Sequence, residues 1–232
     1  MLLGALAGTV VYLDTSVLGQ TLLGQPIVAC VLYGMLVDRP ETGLFFGVIF
    51  EMLWLANLQI GAAKFSEGSM GAIIATAVAA SVAPSEYTGE PAWIVLLLSL
   101  SVGLIFSHVG RELSPIVRKI MNRIAERFVD ACARGETGNR WTFAALGTHV
   151  AAGFVFSIVG VLAGRLLLSL YFGDYFSFGL SESVVRSTDA ICSAIWPGLL
   201  GAGSAAAMIQ LVSRKDWTWV LVLGLIGGFV LI

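Results

Sequence analysis

Apolar residues fall along this chain in long runs rather than at alternating positions. Residues 92–109 and 142–172 are almost unbroken apolar stretches, and 190–212 and 217–232 are two more. A spanning helix needs roughly 20 mainly apolar residues, so these segments predict membrane-crossing helices. The first 84 residues are patterned differently. Residues 2–23 are apolar but carry Asp14 and Gln20. Residues 24–37 form a short run opening on Gln25 and Pro26, and 43–60 are interrupted by Glu51, Asn57 and Gln59. A polar, glycine-rich gap over 61–71 precedes another short run, 70–83, ended by Pro84. Short or glycine-interrupted segments at membrane depth predict broken or re-entrant helices. Their free N–H and C=O groups must be satisfied by protein or by a watery cavity, because lipid offers no partners. In transporters such breaks hold the substrate.

The centre of the chain changes character. Between 111 and 140 lie Arg111, Arg118, Lys119, Arg123, Arg127, Arg134 and Arg140, against Glu112, Glu126, Asp130 and Glu136. Ile116, Ile120, Ile124, Phe128 and Cys132 recur every four residues, which puts them on one helix face. The pattern predicts an amphipathic helix on the membrane surface or against a partner. Basic loops stay cytoplasmic, so 111–140 and the Arg214–Lys215 turn belong inside. The acidic loops 85–91 and 173–189 then fall outside, and the two assignments agree. The chain divides into an N-terminal membrane region with broken helices and the substrate site (1–110), a cytoplasmic amphipathic helix (111–140) and C-terminal transmembrane helices (141–232).

Composition supports this picture of an all-α polytopic membrane protein. The 232 residues are 57% hydrophobic and 12% charged, about half the charge of a soluble domain. So little charge cannot cover a globule of this size in a water-facing surface, which excludes a soluble enzyme and a disordered chain. A net charge of -2 also excludes a nucleic-acid binder, which needs a dense basic face. The 27 glycines suit close helix packing in a membrane. Cys30, Cys132 and Cys192 are too far apart for a metal or redox motif and read as small buried residues. The apolar start has no basic region before it and reads as a retained membrane segment rather than a signal peptide.

Glu51 is the most informative residue. A carboxylate at a helix centre costs about 2.5–3.5 kcal/mol to insert, so a partner, a proton or a polar ligand must compensate. Downstream lie Trp54, Asn57, Gln59, Lys64 and Glu67. Carboxylates and amides bond vicinal hydroxyls, and an aromatic ring covers the apolar face of a sugar. The mixture suits a neutral polyol better than an ion. A purely structural alternative pairs Glu51 with Lys64 to hold a helix break. His108 and His149 have no carboxylate near them in sequence and read as packing residues. No Walker loop, HExxH or GxSxG is present, so the chain offers no catalytic residue of its own, no metal site and no cofactor.

The stretch 24–76 resembles the membrane subunit IIC of mannose/fructose/sorbose-family sugar phosphotransferase systems (PTS). The resemblance rests on Gln25–Pro26–Ile27–Val28–Ala29, on Asp38 with Thr42–Gly43, and on Glu51–Met52. It continues through Ile60–Gly61–Ala62–Ala63 with Glu67, and Gly71–Ala72–Ile73–Ile74–Ala75–Thr76. Asp14 and Gln20 in LDTSVLGQ match a further motif upstream. Several motifs in one register make the signal specific. Departures are Gln25 where arginine is usual before the proline, Glu67 where aspartate is commoner, and Lys64 where a small or apolar residue is usual. The resemblance implies a sugar-translocating permease component that couples uptake of a hexose-type sugar to phosphorylation by IIB. It implies a IID membrane partner, IIB or IIAB phosphocarriers that bear the phosphorylated histidines, an oligomer of IIC–IID pairs, and the bacterial cytoplasmic (inner) membrane as a multi-pass location. Glu51, Gln59 and Glu67 are then the sugar ligands, with Asn57 beside them, while Asp14, Gln20 and Asp38 shape the site or its turns. Two other readings stay open on the residues alone: a non-transporting PTS-like scaffold or sensor docking through 111–140, and an ion-coupled secondary transporter with Glu51 as its proton site.

Overall fold

The computed structural model describes residues 1–18, 21–54, 67–81, 93–177, 187, 190–191 and 193–198. Most of the expected span 190–212 and all of 217–232 lie outside that set. Among the described residues the fold is carried by six α-helices: α1 (Leu2–Ser16), α2 (Pro26–Leu36), α3 (Pro40–Trp54), α4 (Gly68–Ala80), α5 (Trp93–Ala133) and α6 (Asn139–Ser177). Among the described residues there is no strand.

Helices α2 and α3 form a hairpin, and local sequence sets both its ends. Pro26 opens α2 at its first turn, where its missing N–H costs nothing. At the other end Arg39 N–H donates to Gly34 O at 2.7 Å and Asp38 N–H to Met35 O at 3.4 Å. That is a Schellman closure, with Asp38 in the left-handed region at φ 58°. Glycine then lets the two helices touch backbone to backbone. A Cβ on Gly47 would lie 2.9 Å from Ile27 Cα, and one on Gly43 would lie 2.9 Å from Cys30 C.

Helix α4 is the hub. It packs against α1, α2, α3, α5 and α6. Residues 68 and 70–79 are buried, and Ile73 and Ile74 are 0% exposed. A helix that is apolar all round belongs inside protein. At 13 residues it is about 20 Å long, too short for a hydrocarbon core of about 30 Å. Its ends therefore fall at membrane depth among its neighbours.

Helices α5 and α6 form a long antiparallel arm, of 41 and 39 residues. The apolar span and the basic segment are one continuous helix, with Pro115 inside it, so residues 110 and 111 sit mid-helix rather than at a break. At the tip Glu136 N–H donates to Ala131 O at 3.0 Å and Gly135 N–H to Cys132 O at 3.0 Å, with Gly135 at φ 73°. Glu136 pairs with Arg134 at 2.9 Å and Arg140 at 3.1 Å. Helix α1 lies along α6, where Gly153 packs on Tyr12.

Candidate functional site

Residues Glu51–Trp54 of α3 meet the first turn of α2 and the start of α4. Glu51 is half-buried, and its Oε2 accepts from Ile27 N–H at 3.3 Å. That N–H is in the first turn of α2, whose early donors have no partner within the helix. The carboxylate thus faces the positive end of the α2 dipole, which offsets part of the cost of its depth. Trp54 lies three residues on, along the same side of α3. Its indole covers Gly68, where a Cβ would come 2.7 Å from Nε1. The Trp54 and His108 rings are 6.3 Å apart.

Glu67 stands immediately before α4 without bonding its first turn through the side chain. Its N–H donates to Ser107 O at 3.0 Å, and its Cβ and Cγ press on Gly110 of α5. Arg118, farther along α5, interacts electrostatically with it. Two buried polar atoms beside it, Trp54 Nε1 and Ser107 Oγ, have no hydrogen-bond partner among the described residues, although Ser107 is 0% exposed. A buried donor or hydroxyl left unpaired costs free energy unless a ligand or water completes it. Two carboxylates, an indole, a hydroxyl and an imidazole around three helix ends can bond several hydroxyl groups and stack against a ring.

The other sequence-predicted residues divide. Asp14 is 1% exposed, and its oxygens are fully engaged: Oδ1 accepts from Thr21 N–H at 3.0 Å and Thr21 Oγ1 at 2.5 Å, and Oδ2 from Gly24 N–H at 2.6 Å. It builds the 3₁₀ turn Leu22–Gly24 that delivers Pro26 and Ile27 to Glu51. Asp38 is exposed at the opposite end of the hairpin, about 20 Å along α3 from Glu51 at 1.5 Å per residue. Gln20, Asn57 and Gln59 lie outside the described residues, as does Lys64, the alternative partner for Glu51. Sequence reading set His108 aside as packing and passed over Ser107. The spacing Ser99, Gly103, Ser107, Gly110 of small residues on one α5 face was the available signal that a helix packs there.

Polar groups at the start of a short buried helix, inside an apolar helical fold, fit a membrane transport protein. The family model of PTS system sorbose-specific IIC components matches residues 1–231. The chain belongs to that family, within the mannose/fructose/sorbose PTS group, and is its sugar-translocating IIC permease component. It is membrane-embedded and works with other PTS components, IIB and IID. Among solved structures, one described as "Structure of membrane protein" is similar over 97% of this chain and 83% of its own, with a TM-score of 0.60 and 18% identity. That likeness concerns the fold alone. No curated protein matches this chain.

Proposed function

We propose that Glu51 and Glu67 bind the sugar hydroxyls during translocation, with Trp54 stacking on the apolar face of the ring. The observation that carries this reading is the seat of Trp54 on Gly68 between the two carboxylates, at the broken end of α4. Ser107 Oγ and Trp54 Nε1 complete the donors and acceptors a polyol needs. Asn57 and Gln59, next along the chain from Trp54, join the same site, and Asp14, with Gln20, holds the turn that shapes it, while Asp38 closes the far end of the α2–α3 hairpin. The substrate is a hexose-type sugar, released inward and phosphorylated by IIB. The protein is multi-pass in the bacterial inner membrane and functions in an oligomer of IIC–IID pairs, with 1–110 carrying the site, 111–140 the cytoplasmic basic helix and 141–232 further spans.

The test is uptake and phosphorylation of labelled sugar in cells carrying the full permease. Glu51→Gln and Glu67→Gln each cut uptake at least tenfold at unchanged membrane levels, since hydrogen bonds to a charged group contribute about 1.5–3 kcal/mol. Wild-type uptake by both variants sinks the assignment. Uptake that collapses with a protonophore but survives without phosphoenolpyruvate would instead make Glu51 a proton site.

A further inference from the structure

The seam between α1 and α6 holds polar groups that the Glu51–Glu67 site does not use. Gly153 lets the two helices close there. A Cβ on it would lie 3.0 Å from Tyr12 Cδ1 and 3.3 Å from Thr9 Cα. Tyr12 is 2% exposed, and its ring lies 5.9 Å from that of His149, tilted by 39°. His149 Nδ1 is buried and has no hydrogen-bond partner among the described residues. A neutral imidazole donates at one nitrogen and accepts at the other. A buried, unpaired Nδ1 therefore costs free energy until a hydroxyl or a water meets it.

These groups lie in line with Glu67. A Cβ on Gly110 of α5 would lie 2.8 Å from Glu67 Cβ and 3.3 Å from Phe156 Cζ of α6, so Glu67 sits beside Phe156. His149, Gly153 and Phe156 are spaced four and three residues apart, which places them on one face of α6. Phe156 and His149 are about 10 Å apart along the helix at 1.5 Å per residue. The step from Phe156 to His149 leads towards Asn139, where α6 joins the basic segment that stays cytoplasmic. Arg118, in that segment, interacts electrostatically with both Tyr12 and Glu67. A line of polar groups thus runs inward from Glu67, past Tyr12, to His149.

We propose that Tyr12 and His149 form a second sugar subsite on the cytoplasmic side of Glu67, occupied as a hexose-type sugar leaves the membrane. His149 Nδ1 bonds one sugar hydroxyl, and the Tyr12 hydroxyl bonds another. Hydrogen bonds between neutral groups are weaker than those to the carboxylates of Glu51 and Glu67, so this station holds the sugar loosely enough to pass it on. The subsite rests on the reading of Glu51 and Glu67 as sugar ligands and adds the step that follows them.

The test is the initial rate of uptake and phosphorylation in cells carrying the full permease, with labelled sorbose, fructose and mannose as probes. His149→Leu keeps an apolar side chain in place but loses the ring nitrogens. It lowers the maximal rate about fivefold, the factor of one neutral hydrogen bond, with half-saturation unchanged. His149→Asn puts an amide where Nδ1 stands and recovers most of that rate. Tyr12→Phe keeps the ring and lowers the maximal rate in the same way. A packing role gives the opposite order, with Leu tolerated and Asn damaging. Wild-type rates in His149→Leu and Tyr12→Phe at equal membrane levels, or a His149→Asn variant no faster than His149→Leu, overturn the proposal. Normal uptake by Glu51→Gln and Glu67→Gln beside a slow His149→Leu overturns the assignment of the two glutamates instead, and keeps Tyr12 and His149 as sugar contacts.

Discussion

Helices α4 and α6 are both mainly apolar, α6 with Arg165 inside its run, yet they live in opposite surroundings. On α4, Ile73 and Ile74 are completely buried, and five other helices surround it. On α6, Leu166 is 60% exposed, and Val155, Leu162 and Leu170 are also turned outward. Composition cannot separate them, but length does. A 39-residue helix crosses a bilayer and can satisfy its ends in water. A 13-residue helix cannot, so its N-terminus must be completed by the protein or by what the protein binds. The proposed sugar site lies at the start of that short helix, where Trp54 Nε1 and Ser107 Oγ are buried without a hydrogen-bond partner among the described residues.

Changes that fill the space around α4 should break this contrast most sharply. A Cβ on Gly103 would lie 2.6 Å from Gly71 O and 2.8 Å from Ala75 Cβ. Gly103→Val is expected to cost about 3 kcal/mol or more and to prevent recovery of a folded, monodisperse protein in detergent. Gly147→Leu on the open arm should leave the melting temperature within a degree or two. Equal damage at the two positions would show that α4 and the arm are not packed differently.

Asp14 gives the next effect. Asp14→Ala strands Thr21 N–H and Gly24 N–H and should destabilise by about 2 kcal/mol, read as a lower thermal midpoint. Because that turn delivers Ile27 to Glu51, sugar uptake should fall further than the loss of folded protein explains. A smaller effect of opposite sign is expected at Asp38. Asp38→Gly removes the cost of a left-handed residue and should raise stability by up to about 1 kcal/mol in the same assay, with uptake unchanged.

The smallest effect belongs to the arm tip. The hydrogen bond from Arg134 holds the Glu136 carboxyl below its usual range. A lowered carboxylate pKa adds stability above the unfolded value and loses it as pH falls through the folded one. The ion pairs at the tip should therefore persist into mildly acidic solution and be lost only below the ordinary glutamate range. Fully exposed pairs contribute little, so Glu136→Gln should not measurably shift the thermal midpoint at neutral pH. A clear shift would show that the tip is clamped by more than its two arginines.

Much of the architecture was legible in the residues. The long apolar runs, the basic segment after 110 and the glycine-rich interruption before 71 all follow from counting. Glu51 stood out because a charge in an apolar run needs a reason. The roles of the other acidic residues were less legible. Asp14 and Asp38 carry the same side chain in similar sequence surroundings, but Asp14 is enclosed by donors ten residues or fewer downstream, while Asp38 sits exposed in a helix-closing turn. Ser107 and His108, more than fifty residues from Glu51 in sequence, gave no local sign of belonging beside Trp54.

By itself, then, the sequence determined that this is a helical membrane protein with a break near residue 67, because hydrophobic run length and the cost of buried charge are local properties. Tertiary structure decided which apolar helix is enclosed and which faces outward, because that depends on glycine-mediated contacts between segments far apart in the chain. It also decided that Glu51, Trp54, Glu67 and Ser107 share one place. Their proximity is set by how α2, α3, α4 and α5 pack, and no spacing within any one of those helices encodes it.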